Sequence, residues 1–169
     1  MRKYIWPLFA IILLAGTSCQ QKVNIEKEKE AIMAVLREEG AATVAKDKER
    51  VFDVHVRDST ESRLELGIYG YNIYKGWDEV SALLDDFVGG GSQLTNPVNV
   101  KENVILKVAG NSAWLTCDNI WTWSVDGVQG GYNNIQIVFL EKIKGEWKIS
   151  FTAYYTKPQP VEEFEVPID

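Results

Sequence analysis

The side chains best able to move a proton are few. His55 is the single histidine, the only side chain whose unperturbed pKa lies near neutrality, and on a helix it could act as a general base. Asp58 follows three positions later, and Asn119 could orient a carbonyl or hydroxyl oxygen. Together they would suit proton transfer, with His55 or Asp58 as base and Asn119 or a tyrosine holding the oxyanion. Each also has a plainer reading. His55 could pack beneath a sheet edge or face solvent, and Asp58 lies in RDSTESR, which reads equally well as a solvated loop. Trp121, Phe151, Tyr69 and Tyr71 could line an apolar ligand pocket, although core or dimer packing accounts for most aromatics more simply. One histidine beside Cys117 cannot supply a zinc ligand set, so no metal is expected. Gly89, Gly90 and Gly91 follow a helix instead of opening one, which leaves no phosphate-cradling motif and no expected cofactor.

The elements that must position these residues follow from periodicity. Ile32, Val35, Leu36 and Thr43 share one face of a helix expected over residues 25–46. Asp47 suits an N-cap for a second helix over 48–56, with Val51, Phe52 and His55 on its inner side. Residues 64–74 have strand composition interrupted by Gly67 and Gly70. Asp78 and Glu79 favour the first turn of a third helix, striped by Trp77, Val80, Leu83, Leu84, Phe87 and Val88. From Pro97 the period becomes two. Val98, Val100, Val104, Leu106 and Val108 alternate with Asn99, Lys101, Asn103 and Lys107, which predicts one buried apolar face. The next strand places Ala113, Leu115, Cys117, Asn119, Trp121 and Trp123 together. After turns at Asp126-Gly127 and Gly130-Gly131 comes a strand over 132–142. Lys144-Gly145 then turns into a strand with Trp147, Ile149, Phe151, Ala153 and Tyr155 on one side. Trp114, Thr122 and Tyr154 fall on the outer face and predict a homodimer covering that apolar patch.

The ends of the chain carry different information. Arg2 and Lys3, an apolar run over 8–15 and small residues before Cys19 have the layout of an export signal over residues 1–18. The segment resembles a bacterial lipoprotein signal, which implies lipid on Cys19 and a location in the bacterial cell envelope. Gly16 departs from the leucine usual at that position of such signals. Residues 19–24 would be a linker of at most about 18 Å, and lipidation would leave Cys117 a buried free thiol. The net charge of −6 becomes −8 without Arg2 and Lys3, which argues against a nucleic-acid partner and against a basic membrane-docking face. Residues 157–169, with Pro158, Pro160 and Pro167 among acids, predict an extended acidic tail.

Two helices, a strand, a helix and four antiparallel strands make an α+β domain over residues 25–156. Its YKGWDEV segment at 74–80, Asp47 opening the second helix, Gly110 to Ala113 before a tryptophan-rich strand, and FLEKIKGEWKI at 139–149 resemble the NTF2-like superfamily, in its SnoaL-like and DUF4440-like branch. The resemblance implies a cone-shaped curved antiparallel sheet wrapped around about three helices, with dimers common. It places Ala153 where many relatives keep a histidine, and Ile135 and Ile137 where they keep an arginine and a threonine. It also puts Asp58 where ketosteroid isomerase-like relatives keep an acid. These substitutions favour a non-catalytic, lipid-anchored module binding a small apolar ligand or a protein partner. The alternative is an isomerase, hydratase or hydrolase using His55 or Asp58.

Overall fold

The computed structural model describes residues 24–67, 69–89 and 95–156. The signal, most of the linker and the acidic tail expected from sequence lie outside the described residues. Helices α1 (Ile25–Val44) and α2 (Lys48–Asp53) precede strands β1 (Ser62–Gly67) and β2 (Gly70–Lys75). Helix α3 (Gly76–Gly89) follows, then β3 (Thr95–Ala109), β4 (Ser112–Val125), β5 (Val128–Ile143) and β6 (Glu146–Thr156). The six strands form one sheet in the order β2-β1-β6-β5-β4-β3. All neighbours are antiparallel except β1 and β6. This is the expected α+β class, a curved sheet closing over helices.

Local chemistry explains the element ends. The Asn24 side chain accepts from Lys27 N and the Asp47 side chain from Arg50 N, capping α1 and α2 where helix N–H groups lack partners. Asp126-Gly127 and Lys144-Gly145 both have positive φ at both residues, the geometry that two-residue hairpin turns require. The stretch expected as one strand over 64–74 is a hairpin broken between Gly67 and Gly70. Gly130 and Gly131 are not a turn but part of β5. A Cβ at Gly130 would come 2.8 Å from the Trp123 indole nitrogen, and one at Gly131 2.6 Å from the Trp121 carbonyl. Glycine there lets β5 pass close to two tryptophans.

Of three register shifts in the sheet, the two beyond the one at the start of β3 decide which side chains face inward around the cavity. In β3, Glu102 pairs with Asp118 and Ile105 with Thr116, so Asn103 and Val104 together oppose Cys117. Asn103 takes φ 51, a left-handed conformation that asparagine tolerates, and its Nδ2 donates to Asp118 Oδ2 at 2.6 Å. In β6, Phe139 pairs with Phe151 while Leu140 pairs with Ile149, which leaves Ser150 extra. Each extra residue reverses the alternation along its strand. Val104, Leu106 and Val108 therefore pack on the core as expected, but Val98 and Val100 turn outward and Asn99 and Lys101 inward. Likewise Trp147 and Ile149 point into the core, whereas Phe151 and Tyr155 lie on the convex face and Tyr154 on the concave one.

The apolar core occupies one end of the cone. Ile32 and Leu36 of α1 meet Leu115, Cys117, Val138, Leu140 and Ile149 of the sheet, all nearly or fully buried. Glu28 ties the start of α1 to the β5–β6 hairpin by accepting from Lys142 Nζ and Trp147 Nε1, each at 2.7 Å. A second cluster, Ala42, Val51, Val80, Leu84 and Val88, joins the three helices.

Candidate functional site

At the other end the cone is hollow. A cavity of about 870 Å³ opens between α1, α3, the β1–β2 hairpin and the concave side of the sheet. Its wall includes Glu39, Arg63, Glu65, Asn99, Lys101, Asn134 and Tyr154, with Leu84, Phe87 and Trp121 among the apolar residues. The expected apolar hollow with few ionisable groups is thus corrected. Inward-facing β5 positions are Asn134 and Gln136, and Ile135 and Ile137 lie on the opposite face. The reversal at Asn103 supplies Lys101, and the reversal at Ser150 supplies Tyr154 in place of Ala153.

Glu39 stands on the apolar stripe of α1, three residues after Leu36 and seven after Ile32, so the helix carries its carboxylate inward. Gly40 beside it gives clearance for the sheet, because a Cβ there would sit 2.7 Å from Asn99 Oδ1. Glu39 Oε1 lies 3.8 Å from His55 Nε2. On the far side of the ring, His55 Nδ1 lies 2.8 Å from Glu61 Oε1. All three residues are buried, at 6%, 4% and 1% exposure.

The backbone on either side of His55 is clamped to β6, where Ile149 N donates to Val54 O and Val56 N to Ile149 O, both at 2.8 Å. Glu61 is fixed by its own carbonyl, which accepts from Gly76 N at 2.8 Å. Trp77 packs beside the imidazole. Burial holds the Glu61 carboxyl above its ordinary pKa, against the lowering effect of its bond to His55. Glu39 Oε2, His55 Nε2 and Glu61 Oε2 have no hydrogen-bond partner among the described residues. Buried polar atoms are normally paired with protein or water, and these three fall together on one carboxylate–imidazole–carboxylate group.

The sheet side of the cavity is a second polar group. Asn119 Oδ1 accepts from Lys101 Nζ and from Asn99 Nδ2, each at 2.8 Å, and Asn119 Nδ2 donates to Asn134 Oδ1 at 2.9 Å. Arg63 pairs with Glu65 at 3.0 Å and lies over the Tyr154 ring. The Tyr154 hydroxyl accepts from Gln136 Nε2 at 2.9 Å, leaving its own proton to donate. Burial lowers the Lys101 pKa and raises that of Tyr154, while the Cys117 thiol is pushed up to about 11. Burial is the largest influence on Glu61, Arg63, Lys101, Cys117 and Tyr154, and Glu39 is a further one common to all five.

Of the residues singled out from sequence, Trp121, Tyr69 and Tyr71 line the cavity, the two tyrosines at its open rim. Asn119 lies behind the wall and organises it. Phe151 does not reach the cavity; it packs against Phe139 on the convex face because of the extra Ser150. Asp58 is exposed and accepts from Thr60 N and Oγ1, which lowers its pKa and leaves it a loop-capping role. His55 is placed behind Glu39 and does not line the cavity itself. Glu39, Glu61, Arg63 and Lys101 were missed. Glu39 alone had a signal in the sequence, an acid at the stripe spacing of Ile32, Leu36 and Thr43.

No family model and no curated protein matches the sequence. Solved structures do match. An NTF2-like protein with a cystatin-like fold from Novosphingobium aromaticivorans superposes with a TM-score of 0.64 at 15% identity, over 83% of this chain and 89% of that one. The fold is NTF2-like. A second NTF2-like superfamily protein, from Salmonella enterica, gives 0.63 at 16% identity over 82% and 98% of the two chains. A candidate dehydratase of the NTF2-like family from Streptomyces avermitilis gives 0.68 at 13% identity over 79% and 99%. At these identities the likeness concerns the NTF2-like fold alone, and the chemistry has to come from the cavity.

Proposed function

We propose that the hollow of this NTF2-like domain is an acid–base site, which binds a small molecule bearing a carbonyl or hydroxyl and moves a proton on it. Glu39 is the group that meets the substrate. His55 and Glu61 stand behind it as proton partners, and Tyr154 donates to the developing oxyanion. The observation that carries this reading is the buried chain Glu61–His55–Glu39 ending at the cavity wall. An apolar ligand would desolvate Glu39, Lys101 and Arg63 without giving them partners, which disfavours the binding-only alternative. Dehydration and isomerisation both begin with such a proton transfer.

The test needs no knowledge of the natural substrate. Small ketones in deuterated water should exchange the hydrogens beside their carbonyl in the presence of the protein. Glu39→Gln should slow that exchange by about 10²–10⁴-fold, the usual contribution of a positioned base. Equal rates for the two proteins would sink the proposal.

The proposal extends to where the protein works. Supported by the lipoprotein-like signal, lipid on Cys19 holds the domain at a bacterial envelope membrane, and the intact mass of membrane-extracted protein tests this. Supported by exposed Val98, Val100, Ile105, Trp114 and Phe139 on the convex side, two copies pair through that face. A strict monomer by light scattering of the part from Gln20 onward, at high concentration, would refute the pairing.

A further inference from the structure

Lys101 differs from the other lysines whose contacts define them. Lys29, Lys48, Lys142 and Lys148 each pair with a carboxylate. Lys101 is largely buried on the cavity wall, and its ammonium is held by the neutral amide oxygen of Asn119 at 2.8 Å, with no ion-pair partner among the described residues. Asn119 is itself locked, donating to Asn134 and accepting from Asn99, so the amine is aimed instead of swinging freely. Burial without an ion-pair partner loosens the proton of this lysine, and a deprotonated amine facing a cavity is a nucleophile.

We propose that Lys101 is a carbonyl-reactive amine, and that the ligands of this cavity are aldehydes or ketones which it binds as an imine. This rests on the acid–base reading above, because Glu39 and Tyr154 supply the protons. The Nζ lone pair attacks the carbonyl carbon to form the C–N bond and opens the carbonyl π bond; the oxygen takes a proton and the nitrogen gives one up, which leaves a neutral carbinolamine. A second proton on that oxygen lets the nitrogen lone pair form the C=N bond as the C–O bond breaks and water leaves. Loss of the remaining nitrogen proton, or its retention, gives the neutral or the protonated imine. The groups that set the charge state of the amine come from three elements: Glu39 on α1 favours the ammonium, Cys117 on β4 favours it only as the thiolate, Arg63 on β1 opposes it, and burial opposes it most.

Reductive trapping tests this on the full chain in detergent. Glycolaldehyde or benzaldehyde is added with sodium cyanoborohydride at pH 7, and labelled lysines are mapped by mass spectrometry against time. Lys101 should be labelled at least about tenfold faster than exposed Lys75 and Lys107, as expected of a buried, activated amine. Lys101→Arg, which keeps the charge but not the primary amine, should remove the fast phase while the protein stays folded by circular dichroism. Labelling of Lys101 at or below the rate of Lys75 and Lys107 overturns the proposal. Deuterium exchange on ketones without reductant is read separately in the same protein. Slow labelling with intact Glu39-dependent exchange removes the imine and leaves the acid–base site standing, whereas fast labelling without that exchange does the reverse.

Discussion

Leu115 and Asn119 lie on one strand and one face of one sheet, four residues apart, yet they belong to different materials. Around Leu115 the concave surface is close-packed with Ile32, Leu36, Val138, Leu140 and Ile149. Around Asn119 it is a hollow walled by amides, two cations and two carboxylates. The frontier runs through Asn103 of β3 and Ser150 of β6, where an extra residue turns each strand over. Strand β4 makes the change by residue choice alone, since its alternation is unbroken, whereas in β3 and β6 an extra residue brings Lys101 and Tyr154 onto the concave face. Packing and polar chemistry thereby occupy opposite ends of the cone.

The contrast can be broken from either end. Leu115→Ala in the packed end should cost about 2–5 kcal/mol in denaturant unfolding, as buried leucine truncations do. Ketone exchange per folded molecule should stay within a few-fold. If exchange collapses while the protein remains folded, the two ends are not separate. Next, Asn103→Val places a β-branched residue at φ 51 and should cost about 1–2 kcal/mol. Deletion of Asn103 should go further and turn Asn99 and Lys101 outward, so that Lys101 is labelled no faster than Lys107.

Smaller effects should appear as pH dependence. Glu61 has a raised pKa in the folded protein, so the unfolded chain releases that proton first as pH rises. Its contribution to stability is therefore present below the unfolded value of 4.5 and is lost as pH climbs through the folded one. Glu61→Gln should flatten the acidic side of a urea-midpoint against pH curve, and an unchanged slope would mean that Glu61 is not the group titrating. Cys117 follows the same sign at higher pH: its share of stability fades as pH rises from 9.0 through about 11. It should resist iodoacetamide at pH 8 until the protein unfolds; fast alkylation in the native state would mean that the thiol is not part of the packed end.

Much of this was legible in the chain. Helix stripes marked α1 and α3, Asp47 marked the start of α2, and Gly-containing pairs marked the turns at Asp126 and Lys144. Among site residues, Trp121 and Asn119 could be placed because β4 alternates without interruption from Ala113 to Trp123. The strands whose inward face periodicity misjudged, β3 and β6, are those with an extra residue. Asn103 was the available hint, an asparagine able to take a left-handed conformation within a valine-rich strand. Ser150 carries no comparable signal, since serine fits regular strands and bulges alike.

Composition, periodicity and turn chemistry thus determined, from sequence alone, the α+β class, the antiparallel hairpins and the one-sided helices, because these depend on interactions between near neighbours; the curvature of the sheet was implied by the resemblance. Tertiary structure alone decided that Glu39, His55 and Glu61, spread over twenty-three positions from 39 to 61, form one buried chain. It also decided that Lys101 and Tyr154 face the hollow. An inserted residue changes no local preference enough to be read, but it inverts every side chain beyond it, and only the pairing partners across the sheet reveal where that inversion falls.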